Sequence, residues 1–425
     1  MDLEKLYHYF LDCNGVCTDT RQLQAGQLFI ALKGPNFNGN KFAKQALENG
    51  AKYALIDEAQ YQSSEQCLLV DDCLKTLQQL ARHHRRQFNI PFIAITGSNG
   101  KTTTKELSFE VLKKKYKTAA TPGNFNNHIG VPLTLLALEK DIEIAIIELG
   151  DNHLGEITEL CQIAEPDFGL ITNIGKDHLE GFGSFENNVR AKSELYHYLI
   201  QHGGKAFIHS QDPLLANMAK RFEKPVFYGN EGDFSNAEFI GADPYIRYRL
   251  NQEVISTQLL GKYNFENIQT ALCIGKYFEI ETADMNDAIR NYLPSNNRSQ
   301  LIQQGKNEIL LDAYNANPSS IEAAVESFSQ MKTEKAKIII LGDMYELGEI
   351  SKEEHRKIVD LVESKNFYLN LFCGEHFFNA KSKDSLFFRH KSDLETYLRE
   401  QKISKGFILV KGSRGMALES VLKSL

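Results

Sequence analysis

The sequence predicts an α/β chain of three units, two of them built on mostly parallel sheets. Three observations carry that expectation. Short apolar runs alternate with helical segments along most of the chain. Its 425 residues exceed what one hydrophobic core comfortably organises. One of the runs, Phe92-Ile93-Ala94-Ile95-Thr96, meets a glycine loop that opens a helix. Such alternation implies right-handed crossovers between parallel strands.

The first unit, residues 1–85, mixes short strands with Gly/Asn turns. Leu28–Gly34 and the turn Pro35–Asn40 precede an amphipathic helix through Phe42, Ala43, Ala46 and Leu47, which together read as a small α/β module. The central unit, 86–294, carries the strand-like runs Phe92–Thr96, Ile144–Ile147, Phe168–Thr172 and Ala206–Ile208, a mostly parallel sheet of the phosphate-loop type. The last unit, 295–425, repeats the scheme with Ile309–Leu311, Lys337–Leu341, Leu369–Cys373 and Gly406–Val410, a Rossmann-like, doubly wound pattern. Pro294-Ser295-Asn296-Asn297 breaks the helical pattern between them and is the expected hinge.

Composition excludes several classes. With 42% hydrophobic and 24% charged residues the chain is neither disordered nor fibrous. A formal net charge of −7 argues against a nucleic-acid binder, and the basic run Arg82-His83-His84-Arg85-Arg86 reads as a solvated helix face near a domain boundary. The start has no basic and apolar leader pattern and no apolar stretch approaches a membrane span, so a cytoplasmic protein without membrane insertion is expected. Seven scattered cysteines, only Cys13 and Cys17 close together, imply reduced thiols.

The glycine loop Gly97-Ser98-Asn99-Gly100-Lys101-Thr102-Thr103 predicts a nucleotide triphosphate site. Backbone N–H groups freed by the glycines and the helix start surround phosphate oxygens, Lys101 neutralises the terminal phosphates as an exposed loop lysine, and the Thr102 hydroxyl reaches Mg²⁺. Ile95 stands where a longer loop of this kind has glycine, so this loop is shorter. A strand-to-helix turn with a surface lysine needs no ligand; the flanking strand and helix favour the nucleotide.

Other candidates also follow strand-like runs. Glu148 and His178 both stand just beyond apolar runs, where open α/β sheets bind ligands, and so face the crevice of the phosphate loop. Together they suit a second Mg²⁺; taken singly, Glu148 equally fits a cap or salt bridge and His178 a local hydrogen bond. Lys192 on its helix reads by itself as a solvated face residue. Asn264 and Asn267, at the start of an apolar helix, either cap it or read an adenine edge. Asp312-Ala313-Tyr314-Asn315-Ala316-Asn317-Pro318 is either a rigid polar ligand connection or an Asx-turn with proline in the first helical turn.

Taken in order, Gly97–Glu106, Pro122-Gly123-Asn124-Phe125-Asn126-Asn127-His128-Ile129-Gly130-Val131-Pro132, Asp312–Pro318, Leu341–Gly348 and Val410-Lys411-Gly412-Ser413-Arg414-Gly415 closely resemble the Mur ligases, over nearly the whole chain. The Tyr314-Asn315-Ala316-Asn317-Pro318 element points to the branch that adds D-alanyl-D-alanine. The resemblance implies an ATP-dependent ligase joining that dipeptide to UDP-N-acetylmuramoyl-tripeptide through an acyl phosphate, in peptidoglycan precursor synthesis. It implies a UDP-sugar-binding first domain, a central ATPase domain and a C-terminal ligase domain, small-molecule substrates, and a monomer.

By the same resemblance Lys101 and Thr102 hold ATP phosphate and the first Mg²⁺, and Glu148 and His178 hold the second. Lys192 matches the lysine that family members carbamylate. Asn267 falls on the adenine-contacting asparagine, Asp312 on the acid reaching the ribose, and Arg298 on a nucleotide-contacting arginine. Asn126 or Asn127 lies near the reacting carboxylate; Thr20, Arg21, Lys33 and Gly34 lie at the UDP-sugar; Asn315, Asn317 and Ser413 lie on the dipeptide side. Tyr263 stands where a histidine is common, Leu311 replaces an acid often seen beside Asp312, and Asn38-Gly39-Asn40 lacks the usual acid. The alternatives are a diaminopimelate- or lysine-adding or folylpolyglutamate synthase-like ligase, disfavoured by Tyr314–Pro318, and a nucleotide-gated binding protein, which has no need of Glu148, His178 and Lys192 together.

Overall fold

A computed structural model describes residues 2–294 and 298–425. The expected hinge therefore lies, from Ser295 to Asn297, outside the described residues. The first domain is a four-stranded parallel sheet in the spatial order Val16–Cys17, Leu28–Ile30, Tyr53–Ile56, Cys67–Leu69. Helices Leu3–Leu11, Ala43–Glu48 and Cys73–Arg85 complete it, and the hairpin Lys33–Gly34 with Phe37–Asn38 stands apart from the sheet.

Six parallel strands form the central sheet, in the order Val226–Tyr228, Lys205–His209, Phe168–Ile171, Phe92–Thr96, Ile144–Glu148, Thr118–Ala120. Every residue of Phe92–Thr96 is buried, because successive side chains serve two cores. Phe92 and Ala94 join a core continuous with the first domain, whereas Ile93 and Ile95 face the helices Asn264–Tyr277 and Thr282–Asn291. Chain order reverses beside this strand, so its carboxyl end opens into a crevice, and the glycine loop starts there.

An antiparallel sheet, Glu238–Ala242, Tyr245–Leu250 and Glu253–Leu260, was not expected. Its inward residues Ile246, Tyr248, Ile255 and Leu259 alternate with polar ones and seal the second core. The last domain runs Gln300–Gln304, Asn307–Asp312, Gly406–Lys411, Ala336–Gly342, Leu369–Cys373, Leu386–Phe388, all parallel except the edge strand Gln300–Gln304. One core lies on each face of that sheet, with Leu341 and Phe372 on one side and Ile340 and Leu371 on the other.

The basic run corrects one expectation. His84 and Arg85 are buried rather than solvated. Arg85 donates to the carbonyls of Ala164 (2.9 Å) and Glu165 (2.7 Å), at the end of helix Glu156–Ala164, and stacks 3.9 Å over the Phe92 ring. Arg82 and Arg86 grip the Glu165 carboxylate at 2.8 and 2.6 Å. The run thus clasps the first domain to the central one.

Candidate active site

The glycine loop needs its glycines. Gly97 and Gly100 have φ of 135° and 80°, and a Cβ would approach Thr172 Oγ1 to 2.1 Å at the first and Asn267 Oδ1 to 2.4 Å at the second. Gly100 immediately precedes helix Lys101–Leu112, whose first N–H groups point at the crevice end of the sheet. The segment after Phe168–Ile171 braces the loop: Asn173 accepts from Ser98 N through its carbonyl (2.9 Å) and from Asn99 N through its side chain (3.0 Å), while Ser98 Oγ donates to Asp177.

Lys101 is not the exposed lysine expected. Its ammonium folds back on the carbonyls of Gly97 and Ser98. Burial first, and the positive charge of Lys192 second, push its pKa below that of an ordinary lysine. An arriving phosphate offers this desolvated cation a stronger partner than two carbonyls.

Glu148 ends its strand almost wholly buried. Its Oε1 accepts from Thr102 Oγ1 (3.2 Å) and Asn126 Nδ2 (2.8 Å), whereas its Oε2 has no hydrogen-bond partner among the described residues and lies 3.6 Å from Lys105 Nζ. The two neighbouring asparagines are thereby distinguished. Asn126 faces Glu148, while Asn127 turns its Oδ1 to the N–H groups of Ile129 and Gly130, just ahead of helix Gly130–Leu136.

The solvated reading of Lys192 is overturned. Its side chain on helix Phe185–His202 is 0% exposed, and Nζ lies 3.1 Å from Asp151 and 3.4 Å from Asp177. Against the burial that raises it, the Lys192 and Lys101 charges and the Ser98 hydroxyl hold the Asp177 carboxyl below its usual range; at Asp151 burial wins and the pKa rises. Sequence reasoning missed Asp151 altogether and passed over Asp177 for its neighbour. His178 has φ 48°, and its Nδ1 contacts the Glu346 carboxylate of the last domain.

Neither asparagine caps helix Asn264–Tyr277, whose preceding residue is Tyr263. Asn264 Nδ2 donates to the Leu260 carbonyl, and Asn267 is held between Thr104 Oγ1 (3.0 Å) and Asn264 (2.9 Å). Across the domain junction Tyr263 shares a hydrogen bond with Ser299 (2.8 Å). Arg298 lies 3.8 Å over the Tyr314 ring with its Nε buried and without a hydrogen-bond partner among the described residues. Asp312 accepts from Ser299 N and pairs with Lys411 at 2.6 Å, a contact not anticipated from sequence.

Asn317 satisfies the Asx-turn reading. It accepts from Ser320 N in a capping box at the start of helix Pro318–Gln330, and its Nδ2 donates to Asn99 Oδ1 at 2.9 Å, tying this helix to the phosphate loop. Ser413 Oγ accepts from Tyr345 N (2.9 Å) and faces the Ala316 carbonyl (3.4 Å). Asn315 uses its Oδ1 on Ala316 N.

These groups converge on one cavity of about 700 Å³ between the central and last domains. Ser98 to Thr103, Asn126, Asn127, Glu148, His178 and Asn267 line it from one side; Arg298, Asp312, Asn315 and Asn317 line it from the other. Gly97, Lys192 and Ser413 are not in its lining, and neither are Thr20, Arg21, Lys33 and Gly34 of the first domain. Arg21 pairs with Asp19 on an exposed turn, and Lys33 pairs with Asp57 at 3.1 Å.

Among the described residues no three His, Cys, Asp or Glu side chains form a ready metal cluster. The donors that do meet in the cavity fit a hard divalent cation: the Thr102 hydroxyl beside Glu148, whose Oε2 is buried without a hydrogen-bond partner among the described residues.

Comparison with known proteins gives a consistent result. The family model "Mur ligase family, catalytic domain" matches residues 12–85, "Mur ligase middle domain" matches 95–275, and "Mur ligase, glutamate ligase domain" matches 297–414. UDP-N-acetylmuramoyl-tripeptide--D-alanyl-D-alanine ligase of Bacillus subtilis is 36% identical over 425 residues, covering 97% of this chain and 93% of that protein. Its Escherichia coli counterpart is 32% identical over 428 residues, covering 97% and 93%. Among solved structures, MurF from Acinetobacter baumannii superposes with a TM-score of 0.89 at 28% identity, covering 100% of this chain and 98% of that one. MurF ligase from Thermotoga maritima in complex with ADP gives 0.84 at 26%, covering 98% and 97%.

Proposed function

The chain belongs to the Mur ligase family, and from that premise we propose that it joins D-alanyl-D-alanine to UDP-N-acetylmuramoyl-tripeptide at the expense of ATP. One observation carries the reading: a phosphate loop and a polar wall from a second domain enclose a single cavity, in a chain collinear with ligases of that name.

An amide does not form from a carboxylate and an amine, because the carboxylate is a poor electrophile. ATP changes the leaving group. The tripeptide's terminal carboxylate attacks the γ-phosphorus and ADP leaves, giving an acyl phosphate; the dipeptide amine attacks its carbonyl, and phosphate departs from the tetrahedral intermediate with loss of the amine proton. Two anions must meet in the first step, so positive charge is needed where they meet. Lys101 leaves its loop carbonyls for the transferring phosphoryl group, and the helix N–H groups behind it hold the β-phosphate.

Thr102, Glu148, His178 and a carbamylated Lys192 are the groups that would hold two Mg²⁺ ions, which when bound screen the approach of the two anions. Asn126 orients the Glu148 carboxylate. Carbamylation would join CO₂ to the Lys192 amine with loss of a proton and would replace its ion pair with Asp151 and Asp177. Arg298, Asp312 and Asn267 hold the nucleoside, with Lys411 fixing Asp312.

Residues 1–85, with Thr20, Arg21, Lys33 and Gly34, take the UDP-sugar; 86–294 take ATP; 295–425 bring the dipeptide. One chain supplies all three parts, consistent with a monomer, and no helix among the described residues is long and apolar enough to cross a membrane. The test is to incubate the protein with ATP, UDP-N-acetylmuramoyl-tripeptide and D-alanyl-D-alanine. Mass spectrometry is expected to find the pentapeptide product, and phosphate release is expected to need both acceptor and amine. Phosphate formed equally fast with ATP alone overturns the reading.

A further inference from the structure

His178 belongs to the central domain and lines the nucleotide cavity, yet its ring is held from the last domain. Nδ1 is buried against the Glu346 carboxylate, whereas Nε2 makes no hydrogen bond among the described residues. Both residues have left-handed backbone, φ 48° at His178 and 63° at Glu346, a conformation that residues with side chains keep only where the surroundings enforce it. The Glu346 carbonyl accepts from Glu180 N at 3.0 Å, and Gly348, with φ 57°, runs so close that a Cβ there would lie 3.4 Å from Glu180 Cα. On the other side, Met344 N donates to His355 Nε2 (3.0 Å), Tyr345 N donates to Ser413 Oγ (2.9 Å), and Asp343 accepts from His376 N (3.0 Å) and Phe377 N (2.9 Å). The carboxylate is thus presented by a loop anchored at Asp343, Met344 and Tyr345.

Two features argue against a pair that merely stabilises the fold. The Glu346 side chain is 56% exposed, and ion pairs of exposed carboxylates contribute little to stability. Lys176 Nζ, at 2.9 Å from the buried Glu354 of the last domain, already ties the same segment across the junction. What Glu346 alone supplies is an acceptor at one nitrogen of one ring.

We propose that Glu346 is a positioning residue that reaches across the domain junction to fix the Nδ1–H tautomer of His178, leaving the Nε2 lone pair for the second cation. The proposal rests on the ligase reading above, with the cation that reading gives to His178, and deepens it by making one ligand of the central domain depend on a side chain of the last. A neutral imidazole carries its proton on either nitrogen, and only the bare nitrogen binds a metal. A carboxylate at Nδ1 keeps the proton there, fixes the ring's orientation and raises the basicity of Nε2. Without that carboxylate the Nε2–H form competes, and a ring in that form offers the cavity a donor where the cation needs an acceptor. The ligand is therefore ready only where the two domains meet.

The experiment takes the full chain as wild type, Glu346→Ala, Glu346→Gln and Glu354→Gln. Nitrogen-15 NMR of the metal-free protein, with the His178 signals assigned by their loss in His178→Asn, reads the tautomer at about pH 8, where an ordinary imidazole is neutral. The wild type and Glu346→Gln, whose amide oxygen still accepts, are expected to hold Nδ1–H, and Glu346→Ala to move toward Nε2–H. Electron paramagnetic resonance of Mn²⁺ added with a non-hydrolysable ATP analogue reads the cation. Glu346→Ala is expected to weaken the second Mn²⁺ by roughly 10- to 100-fold and Glu346→Gln by less, while Glu354→Gln, which breaks only the Lys176 tie, binds it as the wild type does. The wild-type tautomer or the wild-type Mn²⁺ affinity in Glu346→Ala overturns the assignment, and so does an equal loss in Glu354→Gln, which reduces Glu346 to a tie between domains; pentapeptide formed by the wild type leaves the ligase reading standing in each case. A wild type that takes up no second Mn²⁺ overturns this inference alone, and one that forms no pentapeptide overturns the ligase reading and this inference with it. Unchanged circular dichroism and melting temperature of the variants keep a folding defect apart from a positioning one.

Discussion

Lys192→Ala is the most informative single substitution in this chain. The mutation removes a fully buried cation whose Nζ lies 3.1 Å from one buried carboxylate and 3.4 Å from another. Unscreened by water, each contact is worth about 5 kcal/mol of Coulomb energy at an effective dielectric of ~20. Removing one partner of such a pair leaves the rest of the desolvation uncompensated, and the net cost is about 3–5 kcal/mol. For a domain the size of the central one that corresponds to a melting temperature lower by roughly 6–20 °C. Differential scanning fluorimetry of the apo protein reads this directly, and a shift under 2 °C refutes the structural part of the argument. Turnover is expected to fall at least ~100-fold, since the same side chain is proposed to carry charge beside the transferring phosphoryl group. Rescue then separates its two chemical forms: a carbamate predicts partial recovery with added short-chain carboxylic acids, an ammonium predicts recovery with small alkylamines. Recovery with amines alone, or near-wild-type turnover at saturating Mg²⁺ and bicarbonate, ends the carbamate proposal.

Lys101→Ala is expected to abolish turnover with little change in melting temperature, because its ammonium binds only two loop carbonyls in the apo state; activity near that of the wild type in a phosphate-release assay removes the loop from the mechanism. Asn317→Ala removes both a helix cap and the tie to Asn99, so a loss of about 1 kcal/mol in stability and a raised KM for ATP are expected, and an unchanged KM would show that the tie does not position the loop. His84, His209 and His355 are buried with pKa values lowered by desolvation. Protonation below their unfolded value of about 6.5 favours the unfolded chain, so their stability contribution is complete above that pH and is lost as pH falls through the lower folded values. A melting temperature that stays level from pH 7 to pH 5 contradicts this.

The sequence determined more about the strands than about the partners of the side chains they carry. Phe92–Thr96 and Leu369–Cys373 were legible to the residue, since a strand buried on both faces is apolar at most positions, only Thr96 and Asn370 being polar here, and needs no neighbour to be recognised. The glycine loop was legible for a related reason: positive φ and close approach restrict those positions to glycine whatever else the fold does. The antiparallel sheet was harder, because Glu253–Leu260 buries only alternate residues and mixes in Ser256, Thr257 and Gln258; its period of two and the turn at Asn251 were the available signal. Local chemistry also foresaw the Asn317 cap, whose partners lie within three residues. What the sequence could not hold was any pairing between distant segments. Asp151 and Lys192 are 41 residues apart, and Lys192 on its helix looks like any solvated lysine until helix Phe185–His202 is packed with its Nζ against two carboxylates. The same is true of Arg85, of Lys411 with Asp312, and of the choice between Asn126 and Asn127. Burial and long-range distance decide whether a charged side chain is surface or machinery, and both belong to the tertiary structure alone.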